Sequence, residues 1–272
     1  MPEITFRGVR FHVETVPPPD PAPDAPPVVF LHGLLVDNLS GWYCTLAGPV
    51  AAAGGHCVLY DLRGHGMSQR PDTGYTLQDG VADLFGVLDG LGLHGPAFLA
   101  ANGFGGVIAL HAALERPERV AGLVLVEVDG TAADPLSWRE DLLTTLSRSA
   151  LSLEYDNVAG VLTRLGRRGL VAQQAAASAL LDGTSLLADL AAARPVPPSD
   201  LERLTCPVLA VYGEQSALAD TGRLLQRQVR DCTLHLVPGQ AHTILVDGAT
   251  DLLQAILPWL ARHAGVRSEA VA

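Results

Sequence analysis

The chain has 272 residues, long enough to bury a sizeable core, and α/β folds of this length are routinely single domains. Hydrophobic residues make up 48% of it and the mean hydropathy is +0.25, yet no apolar run is long enough for a membrane helix, so no membrane partner is expected. A formal net charge of −11 repels phosphate backbones, which argues against nucleic-acid binding.

Residues 4–16 alternate apolar and polar side chains around Arg7-Gly8, the pattern of a β-hairpin, and lack the basic-then-apolar order of a secretory leader. Pro17 to Pro27 holds seven prolines, a stiff connection that cannot pair inside a sheet. Apolar strands and periodic helices then alternate. Strands are predicted at Val28–Leu31, Cys57–Tyr60, Ala97–Ala101 and Gly122–Glu127, and helices at Trp42–Ala53, Leu77–Leu91 and Phe104–Ala113. Continuously apolar strands in this order imply a parallel sheet covered on both faces.

From residue 132 to 198 helical segments dominate: Leu136–Ser149, Val158–Leu165, Leu170–Ala177 and Ser185–Ala193. Alternation resumes with strand Val208–Tyr212, helix Leu224–Val229, strand Thr233–Val237 and helix Thr250–His263. The organisation expected is a core built from residues 1–131 and 199–272, with 132–198 inserted as a helical cap. Cys44, Cys57, Cys206 and Cys232 are far apart and form no CxxC, so they read as small buried hydrophobes in a reducing, cytoplasmic compartment. Neither a metal cluster nor a phosphate-cradling glycine loop is visible, and no cofactor is expected.

Five punctuation points resemble the α/β-hydrolase family in the right order. They are His32-Gly33-Leu34-Leu35 after the first parallel strand, Asp61-Leu-Arg-Gly-His-Gly-Met-Ser68, Leu99-Ala-Ala-Asn-Gly-Phe-Gly-Gly106, Val211-Tyr-Gly-Glu-Gln-Ser216 and Pro238-Gly-Gln-Ala-His242. The resemblance implies an α/β-hydrolase fold: a mostly parallel eight-stranded sheet flanked by helices, with a helical cap insertion. It also implies that Gly103 stands at the tip of the nucleophile elbow, where the family carries serine, and that Ser216 stands at the usual acid position. His242 matches the catalytic histidine. A covalent acyl-enzyme is then closed to this chain.

The resemblance, read with side-chain chemistry, supplies the remaining candidates. His242 can act as general base, and Glu127, at a strand end where some lipase-like members carry their acid, can orient it; Asp129 and Asp220 are second choices. The backbone N–H groups of Leu34 and Phe104 are candidate oxyanion donors. Asn102 neighbours the elbow tip, and Leu35, Trp42, Tyr43, Tyr155 and Asp156 are possible pocket residues. His32, Asp61, Arg63, His65 and Ser68 read as structural hydrogen bonders, and His111 as a satisfied interior histidine. The leading expectation is a cofactor-independent enzyme of lyase, isomerase or cyclase type acting on a hydrophobic small molecule, a natural-product intermediate for example. Two alternatives stand beside it: a catalytically silent ligand-binding or partner protein of the same fold, and a hydrolase in which His242 activates water; under any of the three a homo-oligomer is possible.

Overall fold

The computed structural model describes residues 3–20, 25–155, 168–242 and 244–266, with the side chains of 147–155, 168–174 and 246 left outside that description. Strands β1 (Glu3–Phe6) and β2 (Val9–Val16) form the expected antiparallel hairpin. Arg7 and Gly8 turn it with φ of +48° and +77°, the left-handed pair that a two-residue hairpin turn needs. Strand β3 (Val28–Leu31) follows, then a continuous helical run, α1, over residues 40–52 with a π-turn at Tyr43–Ala47. After it come β4 (Cys57–Tyr60), α2 (Leu77–Gly90), β5 (Ala97–Asn102), α3 (Gly103–Glu115) and β6 (Val120–Val126). The Thr76 hydroxyl caps α2 by accepting from Asp79 N–H at 3.1 Å.

The middle segment carries α4 (Pro135–Tyr155), α5 (Arg168–Gly183) and α6 (Leu186–Ala192). The helix expected at 158–165 lies outside the described residues. The core resumes with β7 (Val208–Gly213), α7 (Ala219–Gln228), β8 (Cys232–Val237), the short α8 (Ile244–Asp247) and α9 (Ala249–Ala264). Helix α7 starts five residues before the apolar pattern predicts. Its inner face is built from Ala219, Gly222 and Leu225, which carry little periodic signal. Gly222 is there for close approach, since a Cβ on it would lie 2.6 Å from Tyr212 Cδ2.

The eight strands lie in the order β1-β2-β4-β3-β5-β6-β7-β8, antiparallel at β1–β2 and β2–β4 and parallel from there on. Residues of β3, β4 and β5 are buried on both faces, as their unbroken apolar composition requires. One face packs against α2 and α3 through Leu84, Leu88, Val107 and Leu110, and the other against α1 and α9 through Trp42, Leu46, Ile256 and Trp259. A third, smaller cluster sits under the cap, where Leu35 and Tyr75 meet Leu146, Leu180, Leu186 and Leu190. Among the described residues no single helix is long and apolar enough to cross a membrane.

Candidate functional site

Strand register brings the expected site residues to one edge. Leu31 pairs with Ala101, Asn102 with Val126, Val126 with Val211 and Gly213 with Val237. The residues that follow β3, β5, β6 and β7, with the loop after β8, therefore share the carboxyl end of the sheet, where open α/β sheets bind ligands.

At the β5–α3 junction the chain reverses sharply through Gly103, which holds φ +50°. Close packing dictates the two glycines that follow. A Cβ on Gly105 would strike His32 O at 2.5 Å, and one on Gly106 would strike Val128 Cγ2 at 2.1 Å. Gly103 differs, for among the described residues a Cβ there would meet only the Gly33 Cα, at an ordinary 3.7 Å. Its lack of a side chain is not a packing requirement.

Glu127 follows β6 immediately and holds φ +51°, rare for a residue with a side chain. Its carboxylate is buried and fully engaged. Oε1 accepts from Gly213 N–H at 2.6 Å, and Oε2 accepts from the Ser216 hydroxyl at 2.6 Å. His242 Nδ1 lies 3.0 Å from the same Oε2. An ionised carboxylate only accepts, so Nδ1 carries the proton and Nε2 keeps its lone pair. The hydrogen bond to Glu127 raises the His242 pKa; burial opposes this, and the charges of Glu127 and Asp129 add to it. Because 64% of the His242 side chain is exposed, solvent screens much of that effect.

The two second-choice acids do not bond the histidine. Asp220 sits in the first turn of α7, with its side chain 92% exposed, and pairs with Arg223 at 2.8 Å. Asp129 is half-buried, its pKa raised by burial and by Asp141; it reaches His242 only through its charge.

The loop after β3 is braced by two neutral histidines. His32 Nδ1 donates to Gly33 O at 2.7 Å while its Nε2 accepts from Leu62 N–H at 2.9 Å. His65 Nδ1 donates to Arg63 O at 2.9 Å and its Nε2 accepts from Leu35 N–H at 3.0 Å. Burial pushes His65 down to about 3, with the nearby His32 contributing, so it stays uncharged. Asp61 accepts from Leu39 and Met67 N–H and faces His12 Nδ1 at 2.9 Å, and Ser68 Oγ donates to Asp61 O. Arg63 grips Asp83 through two bonds of 2.7 and 2.8 Å.

Asp37, which the sequence did not single out, joins this loop to the elbow. Its Oδ2 accepts both Gly33 N–H at 2.8 Å and Asn102 Nδ2 at 3.0 Å. The sequence signal was an acid four residues beyond a loop glycine whose amide needs an acceptor. Asn102 Oδ1 is buried without a partner among the described residues. With Gly33 N–H held by Asp37 and Leu35 N–H by His65, the Leu34 N–H between them has no partner among the described residues. Phe104 stands in the first turn of α3, where helical N–H groups lack acceptors within the helix.

Several expected pocket residues lie elsewhere. Trp42 is wholly buried against Phe30, with Nε1 donating to Leu31 O at 3.0 Å, so it belongs to the core. Tyr43 is exposed on α1, and Leu35, at φ +65°, packs into the cluster under the cap. The Tyr155 side chain and Asp156 lie outside the described residues. His111 is bonded to Arg194 O at 3.1 Å. Of the cysteines, Cys44 is exposed, because it sits on the outer side of the π-turn, and Cys232 is half-buried; only Cys57 and Cys206 are buried. A cleft of about 390 Å³, mouth included, lies beside the elbow and is lined by Leu34, Phe104, Ile108, Tyr75 and Leu186, with Arg63 and Asp83 at its polar end. Among the described residues no group of three His, Cys, Asp or Glu could hold a metal ion.

Known proteins agree with this architecture. A haloalkane dehalogenase of Bradyrhizobium diazoefficiens is 37% identical over 106 residues, covering 39% of this chain and 33% of that protein. The match thus spans only about a third of that relative's length. A 2-(acetamidomethylene)succinate hydrolase of Mesorhizobium japonicum is 26% identical over 80% of this chain and 82% of its own. The structure of a thermophilic esterase from Thermogutta terrifontis superposes with a TM-score of 0.73, at 22% identity, over 96% of this chain and 98% of that one. The profile of the alpha/beta hydrolase fold matches residues 26–249. With an eight-stranded sheet in this order and a family match across most of its length, the chain belongs to the alpha/beta hydrolase fold family.

Proposed function

We propose that this protein is a hydrolase in which Gly103 stands at the nucleophile position and a water molecule replaces the missing side chain. The observation that carries this reading is the Glu127–His242 contact of 3.0 Å at the edge where Gly103 turns the chain. His242 Nε2 takes a proton from water, and the oxygen bonds directly to a substrate carbonyl carbon. The carbonyl electrons move to an oxyanion held by the Leu34 and Phe104 N–H groups. On collapse the bond to the leaving group breaks, and the imidazolium returns its proton to that group. No acyl-enzyme forms. Ser216, at the usual acid position, acts as a donor that holds the displaced acid, Glu127.

The named relatives catalyse hydrolysis or dehalogenation, which favours this reading over the lyase, isomerase or cyclase expectation. Leu34 and Phe104 border the neighbouring cleft, which neither Gly103 nor His242 lines, and its largely apolar lining suits the remote part of a small hydrophobic ester, thioester or lactone. The test is the hydrolysis of short-chain 4-nitrophenyl esters in oxygen-18 water. The expected result is labelled acid, linear product release without a burst, no acyl adduct by intact-protein mass, and a loss of about 10²–10⁴-fold in His242→Ala. A rate indifferent to His242, or an acyl adduct on the wild-type chain, overturns the proposal.

A further inference from the structure

Among the described residues, the cleft beside the elbow has one side-chain donor left unspent. Leu62, Ile108 and Leu186 give it an apolar lining, and its polar side chains are Arg63, His65, Tyr75, Thr76 and Asp83. His65 uses both ring nitrogens on backbone atoms. The Tyr75 hydroxyl donates to Pro71 O at 2.7 Å, and the Thr76 hydroxyl donates to Asp79 Oδ2 at 2.6 Å. Arg63 gives Nε and Nη2 to Asp83, while its Nη1 forms no hydrogen bond among the described residues. Room for Nη1 is made by Gly74, where a Cβ would stand 2.6 Å from it. The Arg63 and Asp83 side chains are only 11% and 4% exposed, so a bond made there is little screened by water.

We propose that Arg63 is a specificity-determining residue whose Nη1 donates to an uncharged carbonyl carried further along the acyl group, so that the substrate class is a short oxoacyl ester, thioester or lactone. The inference rests on the hydrolase reading, with the reacting carbonyl at the Leu34 and Phe104 N–H groups and the remote acyl part in the cleft they border. An arginine donor alone would equally suit a carboxylate. Here its charge is already matched by Asp83 across two bonds, and Asp79, 3.9 Å from the exposed Arg7, adds a second carboxylate nearby. A substrate carboxylate would meet that negative field and lose its water in an apolar cleft. A ketone or amide oxygen gives up far less hydration and receives a charge-assisted bond. A plain alkyl chain displaces water from Nη1 and offers it no acceptor.

The experiment measures kcat/KM of the full chain, above the buffer rate, for 4-nitrophenyl esters of 4-oxopentanoate, 5-oxohexanoate and 6-oxoheptanoate. Each is compared with the plain ester of equal length and with the monoester of succinate, glutarate or adipate, whose carboxylate stands where the ketone does. The oxo ester is expected to exceed its plain counterpart by about tenfold or more at one length, and the carboxylate to fall below both. Calorimetry with the corresponding oxo and plain amides, whose stable bond lets binding be read without turnover, should give the same preference in Kd. In Arg63→Lys, whose amine can still face Asp83 but has no second nitrogen, the oxo-to-plain ratio should collapse. The wild-type series decides even if that variant does not fold. No oxo preference in rate or Kd, an equal preference at every length, a preferred carboxylate, or an unchanged ratio in a folded Arg63→Lys overturns the proposal. His242-dependent turnover without an oxo preference sinks this subsite alone. An oxo preference in Kd beside turnover indifferent to His242 keeps the subsite and sinks the hydrolase reading.

Discussion

The Ser216 hydroxyl donates to Glu127 Oε2 at 2.6 Å, so the residue that the family resemblance sets at the acid position is bonded to the carboxylate that faces the histidine. On the proposed reading the acid stands at the end of β6, and Ser216, which follows β7, supports it. Ser216→Ala should lower unfolding free energy by about 1–3 kcal/mol, the cost of removing a donor from a buried carboxylate. Urea denaturation measures it. Ser216→Asp should do more damage to turnover than alanine, because two carboxylates in contact cannot both stay ionised.

The pH dependence follows from the direction of the His242 shift. A general base must be neutral, and the bond to Glu127 favours its protonated form. The acid limb of kcat/KM should therefore fall above the ordinary histidine value of about 6.5. In Glu127→Gln the limb should move down, while the plateau drops by up to about 10⁴-fold because the imidazole tautomer is no longer enforced. A limb unchanged by the substitution would show that the carboxylate does not act on the histidine in solution.

Gly103→Ser should turn single displacement into double displacement. The new Cβ has room, and the left-handed backbone adds strain of about 1–3 kcal/mol, visible as a lowered Tm. A stoichiometric burst of 4-nitrophenol and labelling by a phosphonate ester are expected in the variant and not in the wild type. A variant that folds yet never labels would mean that His242 does not reach the turn.

His65 makes the fold sensitive to acid. Its pKa is depressed to about 3 by burial, whereas in the unfolded chain it binds a proton near 6.5. The unfolded state therefore holds more protons over that interval, and stability falls as pH drops below about 6.5 and continues to fall toward 3. In His65→Gln the loss of stability between pH 7.5 and pH 5, followed by urea denaturation, should be smaller than in the wild type.

Much of the fold could be read from residue pattern because it rests on local chemistry. Unbroken apolar strands, the Arg7-Gly8 turn and the glycines after residue 103 each have a short-range cause. Glu127 was legible too, from its place at a strand end. What escaped detection was set by contacts distant in the chain. Asp37 and Asn102 are 65 residues apart, and Ser216 and Glu127 are 89 apart. Trp42 was misplaced because a tryptophan near a ligand loop and one beneath a sheet look alike in sequence; only the bond to Leu31 O separates them. The expected natural-product substrate had no residue behind it, and the relatives reported above are named as a dehalogenase, a hydrolase and an esterase.

A single oxygen of Asp37 ties the Gly33 amide to the Asn102 side chain, and His65 anchors Leu35 from the other side. The segment bearing Leu34 is thus bolted to the strand that ends at the turn. Under the proposed mechanism the Leu34 N–H is therefore aligned before any substrate arrives, and the reorganisation that water would demand at each turnover is borne once, when the chain folds.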